Sequence, residues 1–214
     1  MSARLESGPI LYSFRRCPYV MRARMALWVA GITVTLREVK LAAKPPQLAE
    51  ASPKATVPVL VLEGGTVVDE SLAIMRWALG QSDPEQWLAG DDAALIAVND
   101  GTFKHHLDRA KYPGRYDEAE GIDHRAEALA LLRPLEARLE SAPYLCGDQR
   151  TFTDIALFPF IRQFAAIDPD WFAAQPLPRL QAWLERHCAS PLFAAVMPKF
   201  APWKAGDAPV RFGP

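Results

Sequence analysis

Apolar residues recur in two different rhythms along the first 80 residues of the chain. Residues 10–14 form a short apolar run that predicts a strand, and it ends just before Arg15-Arg16-Cys17-Pro18. From 18 to 30 the period becomes helical. Met21, Met25 and Trp28 share one face, with Val20 and Leu27 beside them, and Gly31 follows in the position that closes a helix. Residues 33–39 are rich in β-branched types and predict a second strand. The proline-marked stretch 45–51 predicts no more than a small helix. Residues 57–62 predict a third strand, joined through the two-residue connection Gly64-Gly65 to a fourth at 66–68, which is a hairpin signal. A helical period resumes over 71–79. The order strand, helix, strand, helix, strand, strand, helix predicts a compact α/β domain over residues 1–80.

Residues 81–91, beginning Gln81-Ser82-Asp83-Pro84, predict a linker. Beyond it strand signals stop. Helical stretches are expected over 92–109, 119–141, 153–167 and 177–187, followed by a proline-rich tail from 198 to 214. The second domain, 92–214, therefore reads as all-helical, and the fold class as α/β plus all-α. No internal repeat or low-complexity tract interrupts this plan.

Composition narrows the function classes. The 214 residues are enough for one or two domains with sizeable cores. Net charge is −1, without blocks of one sign, so nothing favours nucleic acid or an anionic membrane as partner. No apolar run approaches the roughly 18 residues of a transmembrane helix, and residues 1–9 carry no hydrophobic signal core. Cys17, Cys146 and Cys188 are odd in number and widely spaced, which fits neither a disulfide framework nor a zinc pattern. These features predict a cytosolic, reduced protein.

Three short segments carry candidate chemistry. Cys17 precedes Pro18, a residue favoured at the first helical position, so Cys17 is a candidate N-cap. There the free backbone N–H groups and the positive end of the helix dipole favour a thiolate, and Arg15 and Arg16 add positive charge. An inert, buried cysteine is the competing reading. Val57-Pro58 opens a strand; a cis bond would turn the Val57 N–H and C=O outward to pair with an extended peptide, although local sequence alone favours trans. Asp69-Glu70-Ser71 lies where a strand gives way to a helix. Ser71 suits an N-cap and its helix N-terminus a carboxylate, while Glu70 suits an ammonium group. An ordinary acidic cap would look the same.

In this order, Cys17-Pro18-Tyr19-Val20, Val57-Pro58 and Glu70-Ser71, followed by a linker and helices, resemble the glutathione transferases, nearest the cysteine-type, omega-like and monothiol glutaredoxin-like members. Thr151-Phe152-Thr153-Asp154 resembles that family's buried capping box. The resemblance implies a thioredoxin-like N-terminal domain and a helical C-terminal one, glutathione as co-substrate, no metal, and a homodimer. It implies Cys17 as nucleophile, with Tyr19 on the same turn. Val57, before Pro58, pairs with the cysteinyl unit, Glu70 and Ser71 bind the γ-glutamyl head, and Lys44 meets the glycyl end, with Lys54 as a substitute. Val20 stands where a dithiol glutaredoxin has its second cysteine, so external glutathione must resolve any mixed disulfide. Tyr12 and Ser13 are rival positions that other branches of the family use. The second substrate, a small electrophile or disulfide, is expected between the domains, against Phe103, His106, Arg109 and Tyr112; packing at the domain interface is the competing reading of these four residues. His105-His106 reads as no metal site, because adjacent helical residues point in different directions, and Cys146 and Cys188 read as structural. Thiol transfer is the leading expectation; conjugation to electrophiles and non-catalytic glutathione binding are the alternatives.

Overall fold

A computed structural model describes residues 8–116 and 121–214. The chain begins β1 (Ile10–Ser13), α1 (Pro18–Val29), β2 (Val34–Glu38), α2 (Pro46–Ala51), β3 (Val59–Val61), β4 (Val67–Asp69) and α3 (Ser71–Gln81). Strand β1 pairs parallel with β2 and antiparallel with β3, and β4 extends the sheet beyond β3. The alternation expected of a strand sorts β1 between two faces. Tyr12 packs with Val39, Leu48 of α2 and Val59, while Ser13 points the other way and bonds Arg24 of α1. Helix α1 packs against α3, and most of it is buried. The hairpin turn differs from the expected two-residue connection: Leu62 and Thr66 still bond, leaving Glu63, Gly64 and Gly65 as a three-residue loop.

The helical part begins with a 3₁₀ turn at Trp87–Gly90, then α4 (Ala93–Val98), a π-helical turn at Asn99–Phe103 and α5 (Lys104–Lys111). After a 3₁₀ turn at Pro113–Arg115 come α6 (His124–Ser141), α7 (Phe152–Ala165), α8 (Pro169–Ala173), α9 (Pro178–Cys188) and α10 (Pro191–Val196). The expected helix start at residues 119–120 lies outside the described residues. Helix α7 is the core of this unit, buried from Phe152 through Ile161. Its capping box forms. Asp154, with no exposed surface, accepts from the Thr151 N–H and hydroxyl, the Leu145 N–H and the Trp183 indole at 2.8–2.9 Å. Four donors compensate the burial of one carboxylate.

Two boundaries differ from the sequence expectation. The stretch read as linker carries structure: α3 runs on to Gln81, and Trp87 is fully buried with its indole donating to Glu85 at 2.8 Å. Strands also do not end with the first domain. Val210–Phe212 forms β5, antiparallel to β2, giving the sheet order β4-β3-β1-β2-β5. Chain contacts accordingly divide the protein into one unit of residues 1–84 and 191–214 and a second of 85–190. The tail belongs with the sheet because β2 offers an unpaired edge and Phe212 an apolar ring, which lies 5.7 Å from Trp28. Gly213 allows this approach: its φ is +157°, and a Cβ there would lie 2.7 Å from the Thr33 Cα. Among the described residues no helix is long and apolar enough to cross a membrane.

Candidate functional site

Cys17 is the N-cap of α1, in extended conformation (φ −75°, ψ 124°), with Pro18 opening the helix. A turn aims it there: the Cys17 N–H donates to the Phe14 carbonyl at 2.9 Å, and the Cys17 carbonyl accepts from the Met21 N–H at 3.0 Å. Its side chain is half-buried, and Sγ lies 3.8 Å from the Val57 carbonyl oxygen. The Val57–Pro58 bond is cis, against the isomer that local sequence favours. The thiol and the backbone of Val57 are thus neighbours. Tyr19, on the first turn of α1, is half-buried beneath the Arg22 guanidinium, 5.5 Å from its ring centroid.

The rival positions are committed elsewhere. Tyr12 is 2% exposed, and its hydroxyl accepts from Arg37 at 2.6 Å. Ser13 has no exposed surface; its hydroxyl donates to Glu38 at 3.0 Å and accepts two bonds from Arg24, at 2.6 and 3.0 Å. These bonds belong to a buried network beneath the Cys17 turn. Arg24 pairs with Glu38 at 2.7 Å, and Glu38 takes the Arg15 N–H at 2.6 Å, so one carboxylate holds both the buried cation and the turn that presents the thiol. The tail joins in: Arg24 donates to the Val196 carbonyl, and the Trp203 N–H donates to the Glu38 carbonyl. Sequence reasoning missed this network. Its signal was present, because Arg22 and Arg24 interrupt an otherwise apolar helix, and a buried guanidinium must find partners.

At α3 the cap differs from expectation. Glu70, at φ +71° and ψ 126°, is the N-cap, and Ser71 is the first helical residue. Ser71 is buried, and its hydroxyl accepts from Arg22 at 3.4 Å, which ties α3 to α1. The exposed Glu70 carboxylate is held by Lys54 at 2.5 Å, with Asp69 3.6 Å from the same ammonium. The hydrogen bond to Glu70, then the charges of Asp69 and Glu70, raise the Lys54 pKa above the ordinary lysine range. Lys54 therefore stands at the acidic pair, and Lys44 is exposed in the segment before α2.

In the helical unit the four residues expected on one wall separate. Phe103 is a correction: it is 2% exposed and packs edge-on against Phe164 at 5.7 Å, because the π-helical turn that ends on it carries the ring toward α7. His106 turns to His124, with the two Nδ1 atoms 2.8 Å apart. Burial, then the neighbouring His105 and His124, lower its pKa. The Arg109 guanidinium covers the Tyr116 ring at 4.3 Å, and Arg115 covers Tyr112 at 4.1 Å. Cys146 is exposed beside the Tyr144–Gly147 bridge, and desolvation at the end of α9 raises the Cys188 pKa.

Comparison with known proteins supplies the family. Residues 11–86 match the glutathione S-transferase N-terminal domain, and residues 66–186, more than half of the chain, match the glutathione S-transferase C-terminal domain. Glutathione S-transferase 4 of Zea mays is 30% identical over 92% of this chain and 94% of its own length. Glutathione S-transferase U28 of Arabidopsis thaliana is 28% identical over 91% and 90%. A glutathione transferase family member from Pseudomonas fluorescens, solved with two glutathione molecules bound, matches with a TM-score of 0.77 at 19% identity, covering 91% of this chain and 94% of that one; at this identity the likeness is one of fold. With a thioredoxin-like sheet unit, a helical unit and both family domains matched in order, the chain belongs to the glutathione S-transferase family of enzymes.

Proposed function

We propose that this chain is a cysteine-type, omega-like member of its family, a glutathione-dependent thiol transferase with Cys17 as nucleophile. The supporting observation is the contrast among three candidate positions. Cys17 Sγ lies at the start of α1 beside the Val57 carbonyl, whereas the Tyr12 and Ser13 hydroxyls are buried and engaged by Arg37, Arg24 and Glu38. In the reaction, Cys17 thiolate attacks the glutathionyl sulfur of a mixed disulfide. The new bond is Cys17–S–S–glutathione, and the substrate leaves as a thiolate that takes a proton from water. Glutathione thiolate then attacks the glutathionyl sulfur held on Cys17, releasing oxidised glutathione and restoring the Cys17 thiolate. The helix N-terminus stabilises that thiolate in both steps.

Glutathione lies extended along Val57, with its γ-glutamyl head at Glu70 and Ser71 and its thiol toward Cys17. Lys54, paired with Glu70, adds a cation beside that head, and Lys44 meets the glycyl end. Arg109 and Tyr112 offer the second substrate a cationic and aromatic surface. The enzyme works in the cytoplasm as a homodimer. Replacing Cys17 by serine removes the nucleophile and keeps the backbone contacts. The Cys17→Ser variant is expected to lose thiol transfer to hydroxyethyl disulfide while retaining affinity for glutathione; full thiol-transfer activity in that variant refutes the assignment. The names of the plant relatives favour a second reading, conjugation of glutathione to electrophiles. Under it, the same substitution raises activity toward an aryl halide, because a serine hydroxyl donates to glutathione's thiolate more strongly than a thiol does.

A further inference from the structure

Three of the four histidines in the chain meet at one point in the helical unit. His105 and His106 are neighbours on α5, and His124 is the first residue of α6. Adjacent helical residues do leave in different directions, yet the two rings are long enough to converge on a third that arrives from another helix. Ring centroids are 5.0 Å apart for His105 and His106, 5.0 Å for His106 and His124, and 5.7 Å for His105 and His124. Each ring offers one nitrogen such that all three lie within 4.8 Å of one another.

We propose that His105, His106 and His124 together bind one divalent transition-metal ion of the zinc, cobalt or nickel type, which fastens α5 to α6. Imidazole nitrogen suits these ions better than magnesium or calcium, which take oxygen ligands. Metal–nitrogen bonds of about 2.0–2.1 Å put tetrahedral ligands about 3.4 Å apart. The Nδ1 atoms of His106 and His124, now 2.8 Å apart, need only separate slightly, and one nitrogen of the exposed His105 already lies within 4.8 Å of both rings' ligand atoms. Three nitrogens leave a fourth position for water. The site lies wholly within the helical unit and takes no part in the exchange at Cys17.

The test is titration of the whole protein with cobalt(II) chloride, read by visible absorption, and with zinc chloride, read by calorimetry. The expected result is one ion per chain, with cobalt d–d bands and no thiolate-to-cobalt band in the near ultraviolet. His105→Ala and His106→Ala should each weaken binding by about tenfold or more. His105 is exposed, so its variant keeps the fold and keeps the test decisive. Absence of binding, a thiolate band, or less than that loss in either variant overturns the proposal.

Discussion

Arg24 carries its charge with no exposed surface, and Glu38 is what makes that tolerable. Desolvation lowers the Arg24 pKa, with the charge of Glu38 opposing it and Arg15 reinforcing it. Because the same carboxylate also holds the Arg15 N–H, the turn leading to Cys17 rests on a buried ion pair. A buried pair is only modestly favourable when whole, but removing one partner leaves the other uncompensated. Glu38→Gln is therefore expected to lower unfolding free energy by about 3–5 kcal/mol, read from urea denaturation. A loss below about 1 kcal/mol would mean that the pair is solvated and the turn is held otherwise. Residues of this kind were hard to read from the chain alone. Cys17-Pro18 announces a helix start by local chemistry, whereas the meaning of Arg24 depends on Glu38, which lies on β2, and on the Val196 carbonyl at the end of α10.

At the scale of elements, α9 packs one histidine into an aromatic box. His187 stacks on Phe158 of α7 at 5.0 Å, with the Trp183 ring at 4.7 Å and Tyr144 at 5.8 Å. Among the described residues its Nε2 finds no hydrogen-bond partner. Desolvation pushes its pKa down from 6.5 to about 3, aided by Arg150 and Arg186. The folded protein thus keeps His187 neutral, while the unfolded chain protonates it near the ordinary value. The associated stability is fully present above about pH 6.5 and is lost as pH falls toward 3, by up to about 1.4 kcal/mol per unit. His187→Phe fills a similar space without a titrating nitrogen. It should keep stability at pH 7.5 within about 1.5 kcal/mol and flatten the decline between pH 6.5 and 4.5 in thermal melts. An unchanged slope would assign the acid sensitivity to other groups. Periodicity placed α9 within a residue or so of its bounds, but the box around its last turn is a long-range product of α7.

Over the whole molecule, the elements carried by strong local patterns were legible: β1 through α3, the capping box of α7, and the long helices of the second unit. What escaped was set by distant partners. Strand β5 has three residues in a proline-rich tail, and only the free edge of β2 makes it a strand. Helical spacing grouped Phe103 with His106, but the π-helical turn and the aromatic core around Phe164 moved Phe103 inside. His124 lies 18 residues from His106, too far for a local pattern to pair them. Of the proposed glutathione site, Cys17, Val57-Pro58 and Glu70-Ser71 were readable as motifs, while the meeting of Lys54 with Glu70 was not. In the proposed function one thiol, Cys17, exchanges with glutathione. Mass spectrometry of peptides from protein exposed to oxidised glutathione locates the thiol that exchanges. A single glutathionyl group on Cys17, removed by added reduced glutathione, is the predicted result; modification confined to Cys146 or Cys188 would contradict it.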